Sequence, residues 1–144
     1  MHVTDVTRGV LGANGIVVAY IGDGALMNGE THETLNMASL WQLPLVIVRV
    51  DNQYAESTAA RYYSGIPDVL EYVRSYGIAA AAVDGNDIDA VADVAGRLLA
   101  RTRKGEGPGF LQCRTYRRYG HNTADRESSS SRTGLIRSGR FATA

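Results

Sequence analysis

The chain has little with which to staple itself or to span a bilayer. One cysteine, Cys113, in 144 residues excludes an internal disulfide. No apolar run approaches the ~18 residues that a transmembrane helix requires. Neither sign of charge is in excess: 15 lysines and arginines face 15 aspartates and glutamates, so no long-range field draws the chain to nucleic acid or to an anionic membrane. No charged, then apolar, then small-residue leader opens the sequence, and a soluble protein of the reducing cytoplasm is the expectation. The familiar phosphate loops are also missing. There is no G-x-x-x-x-G-K-[ST], and GVLGANG does not match G-x-G-x-x-G.

What is present is a core-sized set of apolar residues, 44% of the chain, enough for one domain. Residues 1–15 are Gly-rich and show no sustained period, which reads as an irregular lead-in. Val17 to Ile21 is an apolar run without polar alternation, as in a strand covered on both faces. From Thr31 to Gln42 the pattern is helical, with Leu35, Ala38 and Trp41 recurring beside Met37, and Pro44 stops it. Leu45 to Val50 is again a strand. Strand, helix and strand make a βαβ unit with parallel strands.

Beyond Thr58 the sequence predicts a loop, then a helix from Pro67 to Tyr76 that stops at Gly77. A strand over Ile78 to Val83 follows, then a capping turn at residues 84–87. The next helix runs to Arg103, with Ile88, Val91, Ala95, Leu98 and Leu99 as its apolar stripe. A last strand, Phe110 to Thr115, feeds a polar loop containing His121. The domain is thus expected over 1–125, and the serine-rich 126–144 as a disordered tail.

Two polar clusters stand just past apolar runs. Gly22-Asp23-Gly24 offers a carboxylate between residues with no Cβ, and the helix that follows turns its first amides toward the same place. Asp51-Asn52 ends the next strand, with residues 25–50 between them, enough for one crossover. Both clusters therefore belong at the carboxyl edge of a parallel sheet, where open α/β folds bind ligands. Hard oxygen donors beside backbone amides suit a divalent cation and a diphosphate. Alone, a Gly-Asp-Gly turn or an Asp after a strand is ordinary turn chemistry. Their pairing at crossover spacing carries the reading.

GDGALMNGETHETLNMASLWQLPLVIVRVDNQYAEST closely resembles the thiamine-diphosphate motif of the alpha subunit of the decarboxylating component of 2-oxo acid dehydrogenase complexes. LGANGIV before it, and VDGND and GEGPGFLQCRTYRRYGH after it, resemble the same family in the same order. The resemblance implies an α/β chain with the parallel sheet of the thiamine-diphosphate-binding fold, in incomplete form.

By the same resemblance the cofactors are thiamine diphosphate and Mg²⁺. Asp23, the Asn52 side chain and the Tyr54 carbonyl match the metal ligands. Gly22, Gly24 and Ala25 match the turn beside the diphosphate, Gly15 and Val17 match positions near the aminopyrimidine, and His121 matches the active-site loop histidine. The family reaction decarboxylates a 2-oxo acid or cleaves acetoin, and passes the acyl group to a lipoyl-bearing acyltransferase. The activating glutamate comes from a beta subunit, so an alpha2beta2 heterotetramer is implied. YAEST and YGH look closest to the acetoin-cleaving branch.

Three departures accompany the resemblance. The family's arm before Met1-His2, with residues that clasp the diphosphate, has no counterpart here. A helix-sized segment between GANGIV and the strand entering Gly-Asp-Gly is missing, so one sheet face should lie bare. Asp51 replaces the family's first Asn, adding negative charge, and the serine run replaces the expected continuation after Asp125. A second function is therefore carried alongside the first: a non-catalytic remnant or subunit-interaction module without cofactor binding.

The remaining singled-out residues have plain alternatives. His32 reads as a surface or subunit-contact group, and Cys113 as a packed thiol. Trp41 and Met37 read as core or interface. Arg114, Arg117 and Arg118 read equally as phosphate partners or as a solvated loop face.

Overall fold

The computed structural model describes residues 15–118, 120 and 121. All but Gly15 of the expected lead-in over 1–15, and the whole expected tail over 126–144, lie outside them. Strand β1 (Val17–Gly22) leads through a 3-10 turn (Ala25–Met27) to helix α1 (Gly29–Leu40) and strand β2 (Leu45–Asp51). A two-stranded hairpin, β3 (Tyr54–Ala55) and β4 (Thr58–Ala59), comes next. Helix α2 (Val69–Arg74), strand β5 (Ala79–Asp84), helix α3 (Ile88–Arg103) and strand β6 (Gly109–Arg114) complete the chain.

Four strands form one parallel sheet in the order β1-β2-β6-β5. Parallel strands need crossovers, and α1 and α3 supply two of them. The sheet alternates its side chains between two faces. On one face Leu45 and Ile47 of β2 and Phe110 of β6 meet Leu35 and Ala38 of α1 and Val73 of α2. Phe110 is wholly buried there. On the other face Leu111, Cys113 and Val48 meet Leu98, Val91, Val94 and Ala95 of α3.

Helix α3 covers only the β5–β6 half of its face. Over the other half, Val18 and Tyr20 of edge strand β1 and Val50 of β2 are 40%, 74% and 40% exposed. Register places Val18 beside the buried Val46 and Tyr20 beside the half-buried Val48, so the exposed apolar strip is confined to edge strand β1 and the end of β2. This is the bare face expected from the missing helix.

Several boundaries move for local reasons. Helix α2 begins at Val69, because Asp68 caps it by accepting from the amides of Leu70 and Glu71 at 2.7 and 3.1 Å. Pro67 therefore lies outside the helix. Gly77 adopts φ 76°, the left-handed conformation that ends a helix without a Cβ penalty. Ile88 does not join the α3 stripe: at the first helical position it is 80% exposed. Met37 and Trp41 are 38% and 43% exposed, so neither is core within this chain.

Candidate cation and phosphate site

Asp23 follows β1 directly, and its side chain is buried at the carboxyl edge of the sheet. Its Oδ2 accepts from the Asn52 amide at 3.0 Å and from the Tyr54 amide at 3.3 Å. The two clusters proposed from spacing thus share hydrogen bonds across one crossover.

The turn that follows β2 is set by its own side chains. Asn52 Oδ1 accepts from the Tyr54 amide at 2.9 Å, and Asp51 Oδ1 from the Gln53 amide at 3.3 Å, two successive Asx turns. They hold Gln53 at φ 67°, a left-handed conformation unusual for a residue with a side chain. Asn52 is thereby kept beside Asp23.

Gly24 packs close to the hairpin: a Cβ there would stand 3.0 Å from the Ala55 Cβ, whereas one on Gly22 would meet open space. The amides of Ala25 and Leu26 open the 3-10 turn, where the first donors of a helical segment have no partner within it. Helix α1 itself starts later, at Gly29, so the turn and not the helix end lies next to Asp23.

Sequence reasoning did not single out the residue that dominates the electrostatics. Arg49 is 5% exposed, its Nη2 donates to Asp23 Oδ1, and its Nη1 lies 3.1 Å from Asp51 Oδ2. Asp51 also accepts from Gln112 Nε2 at 2.6 Å and from Gln53 Nε2 at 2.6 Å. The negative charge expected of Asp51 is therefore partnered inside the protein, by a guanidinium that it shares with Asp23. One signal was legible: a lone charge two residues after Ile47, in register with core positions, needs a buried counter-charge.

Burial pushes the Asp23 carboxyl from 3.8 up to about 6, against the pull of the Arg49 guanidinium, and the nearby Asp51 carboxylate adds to the rise. Asp23 remains ionised at neutral pH. Burial likewise raises the Tyr63 phenol, and the Asp23 and Asp51 charges raise it further. Tyr63 therefore borders the same cluster.

The structure does not bring every expected residue here. Val17 opens β1, donating its amide to Pro44 O at 2.9 Å, so Gly15 and Val17 lie at the amino edge of the sheet. Six strand steps separate Val17 from Asp23, roughly 20 Å. The chain runs from Gly15 straight into β1, so among the described residues no helix intervenes to return it to the carboxyl edge. His121 stands beside Glu56 of the β3–β4 turn, Nε2 to Oε1 3.9 Å, and is exposed.

Arg117 lies over the Tyr54 ring, 5.6 Å from its centroid, and Arg114 lines a neighbouring cavity of about 570 Å³ together with Arg49, Asp51, Arg61 and Gln112. Cys113 is a buried thiol raised by its burial, as a packed cysteine should be. No helix among the described residues is long and apolar enough to cross a membrane.

The donors suit a hard divalent cation in kind: the Asp23 carboxylate after β1, and the Asn52 amide oxygen and Tyr54 main-chain carbonyl from the turn after β2. Each side-chain oxygen already accepts within the protein: Asp23 Oδ1 from Arg49, Asp23 Oδ2 from the Asn52 and Tyr54 amides, and Asn52 Oδ1 from the Tyr54 amide.

Comparison with known proteins gives a consistent family. The Dehydrogenase E1 component family matches residues 6–139. The chain is 36% identical over 151 residues to the alpha subunit of the acetoin:2,6-dichlorophenolindophenol oxidoreductase of Bacillus subtilis (strain 168), covering 89% of this chain and 45% of that protein. It is 38% identical over 117 residues to the pyruvate dehydrogenase E1 component subunit alpha of Porphyra purpurea, covering 81% of this chain and 34% of that one. A thiamin diphosphate-dependent enzyme from Mycobacterium smegmatis shares the fold, with TM-score 0.58 and 24% identity over 78% of this chain and 20% of its own. The chain spans less than half the length of these curated relatives. The Bacillus match runs over 151 positions against a chain of 144, so that relative carries internal residues without a counterpart here.

Proposed function

Because the chain belongs to the Dehydrogenase E1 component family, we propose that it is the diphosphate- and Mg²⁺-binding part of a thiamine-diphosphate-dependent alpha subunit. It works with a beta subunit on a 2-oxo acid or on acetoin and delivers the acyl group to a lipoyl carrier. The observation that carries this reading is the bond from the Asn52 amide to Asp23 Oδ2, 3.0 Å, which unites the two clusters at the sheet edge.

Asp23, the Asn52 side chain and the Tyr54 carbonyl would hold the cation. Gly22 with its open side and the Gly24–Ala25 turn would take the diphosphate. His121 would serve the reacting end as the loop histidine. Thiamine diphosphate, when bound, supplies the carbon nucleophile and electron sink for cleaving a bond next to a carbonyl. The chain's own residues bind and orient: Asn52 is fixed by its Asx turn, and Asp23 by two main-chain donors. Gly15 and Val17 have no place in this arrangement of the site.

The test is calorimetric titration of thiamine diphosphate with Mg²⁺ into the chain mixed with a family beta subunit. Saturable binding that Asp23→Ala abolishes is expected. No heat, or heat that Asp23→Ala leaves unchanged, contradicts the proposal.

The second reading, a non-catalytic module that docks on a partner subunit, draws its support from the bare strip of Val18, Tyr20 and Val50. Turnover on mixing with a beta subunit and a lipoyl domain would refute it.

A further inference from the structure

On the face that α1 and α2 cover, strand β2 is apolar until Arg49. Leu45 and Ile47 are buried, and Arg49, next on the same face, is 5% exposed. A guanidinium keeps its charge at any ordinary pH, so its burial is tolerated only beside carboxylates. Arg49 has one on each side. Its Nη2 donates to Asp23 Oδ1, and its Nη1 lies 3.1 Å from Asp51 Oδ2. Asp23 thus gives one oxygen to main-chain amides and the other to a cation carried by the chain itself.

We propose that Arg49 is a built-in cation that occupies Asp23 and competes with a divalent metal for it, so that metal binding moves Arg49 off Asp23 and leaves it on Asp51 alone. The proposal rests on the reading of Asp23 and Asn52 as metal donors. A divalent cation and a guanidinium repel strongly when they share one buried carboxylate. The second partner makes the exchange feasible: Asp51 keeps the displaced guanidinium from becoming an unpaired buried charge, the costly outcome.

The unsatisfied atoms indicate the direction of the movement. Arg49 Nε and Gln112 Oε1 are both buried without a hydrogen-bond partner. One is a donor and the other an acceptor, and the two residues are register partners on adjacent strands. A swing toward β6 brings them within reach of each other. It also points the guanidinium along the wall of the 570 Å³ cavity, which both residues line, so room exists. In the metal-free arrangement Arg49 bridges Asp23 and Asp51, and in the metal-bound one it is left to Asp51, beside Gln112.

The experiment uses the 144-residue chain, with Mn²⁺ and inorganic diphosphate as the probe and free Mn²⁺ read by electron paramagnetic resonance. Arg49→Gln is expected to bind Mn²⁺ at least about tenfold more tightly than the parent, and the gain should vanish when Asp23→Asn is added. Equal affinity in the parent and Arg49→Gln, lost in Asp23→Asn, overturns the role of Arg49 and leaves the metal reading standing. Binding by none of the chains, or binding insensitive to Asp23→Asn, overturns both. Thermal melting in chelator and in Mn²⁺ covers a variant that folds poorly. Arg49→Gln should melt below the parent in chelator and rise more than the parent when Mn²⁺ is added; equal rises overturn the proposal.

Discussion

Asp23 is 3% exposed and sits between a guanidinium and a second carboxylate, so its protonation is tied to folding. In the folded chain it holds its proton up to about pH 6, whereas the free side chain releases it near 3.8. The folded state therefore binds more protons than the unfolded state across that window, and stability falls as pH rises through it. Asp23→Asn removes this contribution. Urea midpoints in metal-free buffer between pH 4 and 7 should decline less steeply for the variant than for the parent. Asp23 and Asn52 were legible in the sequence, because both stand beside turn residues at strand ends. For Arg49 only the need of a buried counter-charge was legible; which carboxylates supply it, and the place of Gln112, were not, since only the sheet register sets Arg49 and Gln112 side by side.

Helices here depend on caps as much as on packing. Asp87 caps α3 by accepting from the Ala90 amide at 3.0 Å, and Asp87→Ala should cost about 1 kcal/mol in denaturant unfolding. Asp93, paired with Arg97 four residues on, is exposed, and Asp93→Ala should cost at most about 0.5 kcal/mol. Helix α2 has a further tie: His32 of α1 pairs with the Tyr72 and Tyr76 hydroxyls and stacks on the Tyr72 ring. That cluster, together with the Asp68 cap, holds a helix of only six residues too short to persist by propensity. Element types were legible because short unbroken apolar runs alternated with segments of helical period. Their ends shifted where a cap replaced the proline signal, as at Asp68.

Over its described residues the chain is a sheet covered on one face by α1 and α2 and on part of the other by α3. Phe110 anchors the fully covered face, and Phe110→Ala should cost about 3–5 kcal/mol, a large part of the stability of a small domain. The opposite outcome is expected on the bare strip. Val18→Thr with Tyr20→Thr should leave the urea midpoint nearly unchanged while lowering hydrophobic-dye binding and self-association in light scattering. That no helix among the described residues covers this strip was legible, because the sequence runs from Gly15 straight into β1. The consequence for Val17, stranded at the amino edge, was not, since position in a motif does not fix position on a sheet.

In the proposed function the cation of a thiamine-diphosphate complex sits at the Asp23–Asn52 turn. The most direct measurement is paramagnetic broadening: amide resonances of the ¹⁵N-labelled chain recorded with thiamine diphosphate and substoichiometric Mn²⁺, against the same sample with Mg²⁺. Selective loss of the Asp23, Asn52 and Tyr54 amide signals, restored by excess Mg²⁺, is the expected result. Broadening centred elsewhere, or none at these three residues, would contradict it.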